Sequence, residues 1–177
     1  MRAIALVLAL FLSACSRPSW HMTDISGSMP RLDFDLGGVK AEQFRGKVVA
    51  LYFGYTHCPD VCPTTLANLT DMLGKVNSPD VRVLFVTVDP DRDSDAVLAN
   101  YAKAFSPQII GLRGTDNQLA ALARTYRVAY TVTKGPPYAV THSNAVFFFD
   151  RNGRARLVTT DTSDTAAMAK DVKRLLN

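Results

Sequence analysis

KVVALYFGYTHCPDVCPTTL, residues 47–66, is the stretch that decides the fold. Residues 47–54 are a nearly unbroken apolar run, the pattern of a parallel strand buried on both faces. Pro59 and Asp60 then read as a turn carrying Cys58. Pro63 suits the first position of a helix, where its missing N–H costs nothing. Leu66, Leu69, Met72 and Leu73 follow at helical spacing. Strand, cysteine pair and helix therefore succeed one another directly. This puts both thiols at the carboxyl end of a strand, where open α/β sheets gather their reactive groups.

The helix is expected to start near Cys62 and Pro63, with Thr64 and Thr65 in its first turn. An earlier start would place Cys58 and Cys62 four residues apart on one helix face, with a rise of about 6 Å between them. Either arrangement is within reach of a disulfide, whose Cα atoms usually lie about 4.4–6.8 Å apart. A helix N-terminus also stabilises thiolate, which is both nucleophile and metal ligand. Position alone leaves a redox pair and a soft-metal site equally open.

The rest of the chain alternates strands and helices. A hairpin turning at Gly37 and Gly38 precedes the quoted stretch. Residues 82–88 read as a second buried strand, closed by Asp89 and Pro90. Helices are expected over 96–105 and 119–126, with a short strand at 109–112 between them. Residues 128–132 and 138–141 flank KGPP, residues 134–137, as a hairpin or loop. A strand over 145–149, a tight turn at 150–153 and a strand over 155–160 lead to an amphipathic helix over 165–176. This order predicts an α/β fold with a central mixed sheet, helices on both faces and an N-terminal β-hairpin extension.

At 177 residues the chain suits one domain. Its 47% apolar and 20% charged residues are ordinary globular composition. The net charge of +4 is a mild surplus, with no Arg/Lys run or basic helix stripe, so nucleic acid is not an expected partner. The N-terminus, MRAIALVLALFLSAC, has an apolar run over residues 4–12. That run is too short to span a bilayer and fits a signal-peptide core. Residues 12–15, LSAC, resemble a bacterial lipobox, in which the signal is cleaved before the cysteine and Cys15 is lipidated. An ordinary signal peptide or a short anchor is the other reading. Both place the folded part outside the cytoplasm. The expected division is a signal peptide over 1–14, a lipidated cysteine and polar tether over 15–28, and one domain over 29–177. Cys58 and Cys62 are then the remaining thiols. In an oxidising exported compartment such a pair closes to a disulfide unless it is metallated or kept reduced.

A metal needs more donors, and the chain has three histidines. His21 lies in the expected tether and reads as solvated. His57 adjoins Cys58, but a ring just after a strand is expected to turn away, as a tuning or surface group. His142 precedes the strand over 145–149, at the loop end that a thioredoxin-like topology sets beside the helix carrying the cysteines. Residues 135–138 before it are placed to close over a site. Two thiolates and one imidazole form a soft three-coordinate set, which suits Cu(I) and leaves Zn(II) short of its usual four ligands.

GYTHCPDVCPTTL, VDPDRD (residues 88–93), GLRG (111–114) and YAVTHSNAVFFFD (138–150) together resemble the SCO/SenC family, over about residues 30–176. The resemblance implies a thioredoxin-like fold, membrane attachment facing the periplasm, and delivery of copper to the copper A centre of cytochrome c oxidase subunit II. It implies copper, as Cu(I) first and Cu(II) as a further state, held by Cys58, Cys62 and His142. Further implied partners are other periplasmic copper chaperones and thiol reductants, with the membrane reached through the lipid on Cys15. The family often has Asp before the histidine, where this chain has Thr141. Its acidic loop is retained as Asp89 and Asp93, read either as tuning the site or meeting a partner, or as loop capping and solvation.

The main rival reading is a periplasmic thiol–disulfide oxidoreductase that keeps oxidase cysteines reduced. Against it stand the three-residue spacing of the cysteines, Asn144 where thioredoxins carry proline, and a His142 left without a role. A peroxiredoxin-like peroxidase is suggested by VCPT at residues 61–64. The preceding proline and hydroxyl residue that such a site needs are here Tyr55 and Pro59. A non-catalytic interaction domain would leave both cysteines dispensable.

Overall fold

A strand with every residue buried organises the molecule. In the computed structural model, which describes residues 19–177, this strand is Val48–Gly54. The expectations for residues 1–14 and for Cys15 lie outside the described residues. Numbered along the chain, the strands are β1 (Thr23–Asp24), β2 (Asp35–Leu36), β3 (Val39–Lys40), β4 (Val48–Gly54) and β5 (Val81–Thr87). They continue as β6 (Ile109–Leu112), β7 (Tyr130–Thr133), β8 (Ala139–His142), β9 (Val146–Phe149) and β10 (Ala155–Thr159). The helices are α1 (Val61–Val76), α2 (Asp95–Phe105), α3 (Asp116–Thr125) and α4 (Thr165–Leu176).

Six strands form one mixed sheet in the order β1-β10-β9-β4-β5-β6. β4, β5 and β6 run parallel, while β9 lies antiparallel to β4 and β10 antiparallel to β9. β4, between β9 and β5, is covered on both faces, which explains why no polar residue alternates along it. On one face α1 buries Leu66, Leu69, Met72 and Val76 and packs along α4. Tyr101 of α2 stacks on Phe85 of β5, whose ring meets Tyr52 of β4 on this same face. The other face is covered by the end of α3, where Tyr126 stacks on Phe147 and Phe149 of β9. The fold is therefore α/β and thioredoxin-like, with helices on both faces. The expected hairpin is β2–β3, turned by Gly37 at φ +57° and Gly38 at φ +88°.

Two local expectations need correction. α1 begins at Val61 with Asp60 as its N-cap, so Pro63 is the third helical residue and not the first. Its missing N–H still falls in the first turn, where no intrahelical acceptor exists. The start is moved back because the Cys62 N–H donates to Cys58 Sγ at 3.4 Å and the Thr64 N–H donates to the Asp60 carbonyl at 3.2 Å.

The tether reading of residues 15–28 fails from Trp20 onward. Thr23 and Asp24 pair with Val158 and Leu157 as the sheet edge, and Met22 is buried. His21 is exposed, as expected, but it belongs to the folded domain and not to a tether. Its Nδ1 lies 3.0 Å from the carboxylate of Asp171, which also accepts the backbone N–H groups of His21 and Met22 at 2.8 and 2.9 Å. Asp171 is fully buried in α4, so these bonds are what make its burial tolerable. Asp171→Ala is expected to cost about 2–3 kcal/mol, read as a lowered urea midpoint with faster proteolysis before residue 25.

Candidate metal centre

β4 delivers the chain to its carboxyl end at Gly54, and the Gly54 carbonyl accepts the Val88 N–H at 2.8 Å. The loop that follows is pinned by Asp93. Its carboxylate accepts the Thr56 N–H at 3.0 Å, the Thr56 hydroxyl at 2.5 Å and the Thr87 hydroxyl at 2.6 Å. That grip fixes the approach to Cys58. Gly54 then lets α1 come close: a Cβ there would lie 2.8 Å from Cys62 Sγ and 2.6 Å from the Phe85 ring. Cys62 is consequently fully buried, while Cys58 is half-exposed, and both are free thiols.

The third donor arrives from the β7–β8 hairpin, a separate two-stranded ladder. His142 Nδ1 donates to the Ser143 carbonyl at 3.0 Å, which is possible only in the Nδ1–H tautomer. Nε2 is left with its lone pair and lies 3.2 Å from Cys62 Sγ. The ligand atoms of Cys58, Cys62 and His142 all lie within 4.8 Å of one another. Metal–sulfur and metal–imidazole bonds of about 2.0–2.3 Å require donors about 3.5–4 Å apart in a trigonal set, so small adjustments suffice. The donor chemistry and the geometry both fit one soft cation. The structure thus brings together all three residues expected as ligands. His57 is not among them; its Nδ1 lies 3.1 Å from the Thr56 hydroxyl and 3.5 Å from Asp93.

Asp89 does for the hairpin what Asp93 does for the cysteine loop. Its carboxylate accepts the Tyr138 hydroxyl at 2.6 Å and pairs with Arg92, whose guanidinium lies 4.1 Å from the centre of the Tyr138 ring. The reading of these two aspartates as solvated loop caps is corrected: both are buried, and they tie the end of β5 to the two limbs of the site. Asn144 holds the following segment against α1 by accepting the Tyr52 and Thr65 hydroxyls, each at 3.3 Å. The roles of Gly54 and Ser143 were not anticipated from the sequence, and Tyr138, expected in a segment closing over the site, instead bonds Asp89. The glycine directly before a cysteine-bearing turn was the available signal for the first.

The two thiols are electrostatically unlike. Burial pushes the Cys62 thiol up to about 12, against hydrogen bonds that favour its thiolate. Burial also opposes ionisation of Cys58, but the N–H groups of Cys62 and Asp60 outweigh it and hold the Cys58 thiol below its ordinary value. Burial holds His142 below the usual imidazole range, against the bond to Ser143, so the ring stays neutral at physiological pH. Cys58 and His142 line an open cleft of about 400 Å³ with Tyr55, Val61 and Val140, and Cys62 lies beneath it.

A family model described as SCO1/SenC matches residues 31–177. The chain belongs to the SCO1/SenC family. It is 42% identical over 119 residues to the mitochondrial SCO2 homolog of Bos taurus, covering 62% of this chain and 44% of that one. The chain thus spans less than half the length of this mitochondrial relative. It is 33% identical over 136 residues to an SCO2-like protein of Rickettsia felis, covering 73% of this chain and 66% of that one. Among solved structures, Arabidopsis thaliana ScoI with copper bound has a TM-score of 0.75 at 32% identity, covering 82% of this chain and 96% of that one. Bradyrhizobium japonicum ScoI with copper bound has a TM-score of 0.70 at 34% identity, over 82% and 96% of the two chains. Apo Sco1 of Thermus thermophilus has a TM-score of 0.73 at 37% identity, over 88% and 98%. The SCO1/SenC match covers every element from β2 to α4 and all three clustered donors.

The unlike thiols make a direct prediction. Iodoacetamide at neutral pH is expected to label Cys58 first, with a rate that inflects below the ordinary thiol pKa, and to leave Cys62 unlabelled until the chain is unfolded. In Gly54→Ala the added methyl displaces Cys62 Sγ, so Cys62 becomes labelled under native conditions. Peptide mass spectrometry reads both outcomes.

Proposed function

We propose that the chain is an exported copper chaperone, with Cys58, Cys62 and His142 as its copper ligands and copper as cargo. The Cys–Cys–His cluster carries this reading, in a chain 32% and 34% identical to two copper-bound Sco proteins. Cys62 is protonated when its site is empty, and a cation arriving beside it offsets the burial cost of its thiolate. Cys58 needs less help, and His142 is already neutral. Protons compete with the metal at all three donors, so copper binding weakens as pH falls. His142 joins that competition only below the ordinary imidazole range. The recipient is read as the copper A domain of cytochrome c oxidase subunit II, approaching from the cleft that Cys58 and His142 line. In this reading residues 1–14 are a signal peptide, Cys15 carries lipid, and the copper-binding domain, which begins by Trp20 rather than at residue 29, faces the periplasm. Other periplasmic copper chaperones and thiol reductants complete the set of partners.

The unlike thiols also favour a second reading. An accessible Cys58 held towards thiolate, with a buried partner four residues on, suits attack on a disulfide. The pair would then act as a reductant of oxidase cysteines.

Anaerobic titration of the reduced chain with Cu(I) distinguishes them. One tight Cu(I) per chain is expected, lost in Cys58→Ala and in Cys62→Ala. His142→Ala is expected to weaken binding more than about 100-fold and Tyr138→Phe about tenfold, since partners that orient a ligand typically matter by about 10–100-fold. Unchanged affinity in His142→Ala removes the three-ligand site. Rapid copper-free reduction of a disulfide substrate supports the second reading.

A further inference from the structure

The two ends of the sheet carry opposite charge. β4 runs toward the cysteines, so its start at Val48 marks the far pole. Antiparallel β9 ends at that pole, with Phe149 opposite Val49, and the turn to β10 follows. Two clefts open there. Arg31, Arg45, Lys47 and Arg151 line the first. Arg154, Arg156 and Arg174 line the second, around Trp20, with Arg151 shared between the two. The acidic residues among their linings are Glu42 and Asp150. Lys47 and Arg151 share Asp80, Arg156 pairs with Asp150 at 3.3 Å, and Arg174 with Asp171 at 3.8 Å. Arg45 and Arg154 are exposed and form no ion pair among the described residues. The opposite end, at the starts of α1, α2 and α4, exposes Asp60, Asp91, Asp95, Asp161 and Asp164. Of the cations at this end, Arg92 and Lys134 pair with Asp89 and Asp91, and Arg113 donates to the Pro90 carbonyl.

The described chain also begins at the basic pole. The Ser19 carbonyl accepts from Arg174 at 3.1 Å, and the Arg174 guanidinium lies 3.7 Å from the centre of the Trp20 ring. In sequence, Ser16, Arg17 and Pro18 separate Cys15 from Ser19, a reach of about 14 Å at full extension. That is comparable with the range of surface charge in physiological salt, a Debye length of about 8 Å.

We propose that the basic pole is a docking face for an anionic phospholipid surface, turning the Cys58–Cys62–His142 cluster away from the membrane. Each Arg or Lys held near such a surface strengthens binding about fivefold. The acidic end is repelled by the same surface, so one orientation is selected. Trp20 at the rim of the second cleft supplies an amphipathic ring suited to headgroup depth. The short reach rests on the reading of Cys15 as the lipidated residue; the charge separation does not.

The test uses the mature chain, residues 15–177, carrying Cys15→Ser, which holds neither lipid nor the apolar run of residues 4–12. It is sedimented with phosphatidylcholine vesicles, with and without one third phosphatidylglycerol. Salt-sensitive binding to the anionic vesicles is expected. Adding Arg45→Gln and Arg154→Gln should weaken it about 25-fold, at unchanged thermal midpoint and unchanged binding to neutral vesicles. Equal binding to both vesicle types would mean apolar insertion alone and would overturn the proposal. So would anionic binding indifferent to the two substitutions, or retention by an acidic protein resin without vesicle binding. The mass of the wild-type chain recovered from membranes reports lipidation separately, so failure of either reading is identified on its own.

Discussion

The reactive end of the molecule depends on how closely the first turn of α1 approaches the end of β4. Gly54 has no Cβ, and the space is filled by Cys62 Sγ and the ring of Phe85. The contact buries one thiol completely and leaves its neighbour half-exposed. In the same turn the Cys62 N–H meets Cys58 Sγ. The difference in acidity between the two cysteines follows from this one packing constraint, since burial acts most on Cys62 and hydrogen-bond donors gather at Cys58.

A short segment after β5 frames the site around that contact. Burying two carboxylates within five residues is unfavourable unless their oxygens are satisfied. Asp93 is satisfied by Thr56 and Thr87, and Asp89 by Tyr138 and Arg92. One carboxylate holds the loop before Cys58, and the other holds the hairpin that ends in His142. Hydrogen bonds to charged groups contribute about 1.5–3 kcal/mol each, more than an ordinary pair. The segment over residues 87–93 is thus a brace between two limbs that have no backbone ladder in common.

Much of this was legible in the sequence, for identifiable reasons. The apolar run before Cys58 and the helical spacing of Leu66, Leu69 and Met72 are local patterns, and they located the strand, the helix and the thiols between them. His142 was found through topology, because a residue ahead of a core strand must lie at a sheet end. Side-chain partnerships between distant segments have no local pattern. Asp89 and Tyr138 are 49 residues apart, and Asp171 grips His21 from 150 residues away. The tether was read too long because polar composition over residues 19–28 conceals two buried anchors, Met22 and the backbone bonds to Asp171. The basic pole went unseen for a similar reason: Arg151, Arg154 and Arg156 cluster around one turn, but only the fold brings Arg31, Arg45, Lys47 and Arg174 to them.

The β7–β8 hairpin lies outside the six-stranded sheet, and this has a coordination-chemical consequence. One sulfur stands on the turn that leads from β4 into α1 and the other in the first turn of α1, both on the main fold. The imidazole hangs from a separate two-stranded lever. In the copper-chaperone reading such a donor set would be hemilabile: two sulfurs mounted on the main fold, and one nitrogen carried by a hairpin outside its sheet. An ion held by all three would shed the nitrogen first and keep both sulfurs, leaving a position that faces the cleft lined by Cys58 and His142. Release would then ask for the swing of one hairpin, against its tie from Tyr138 to Asp89.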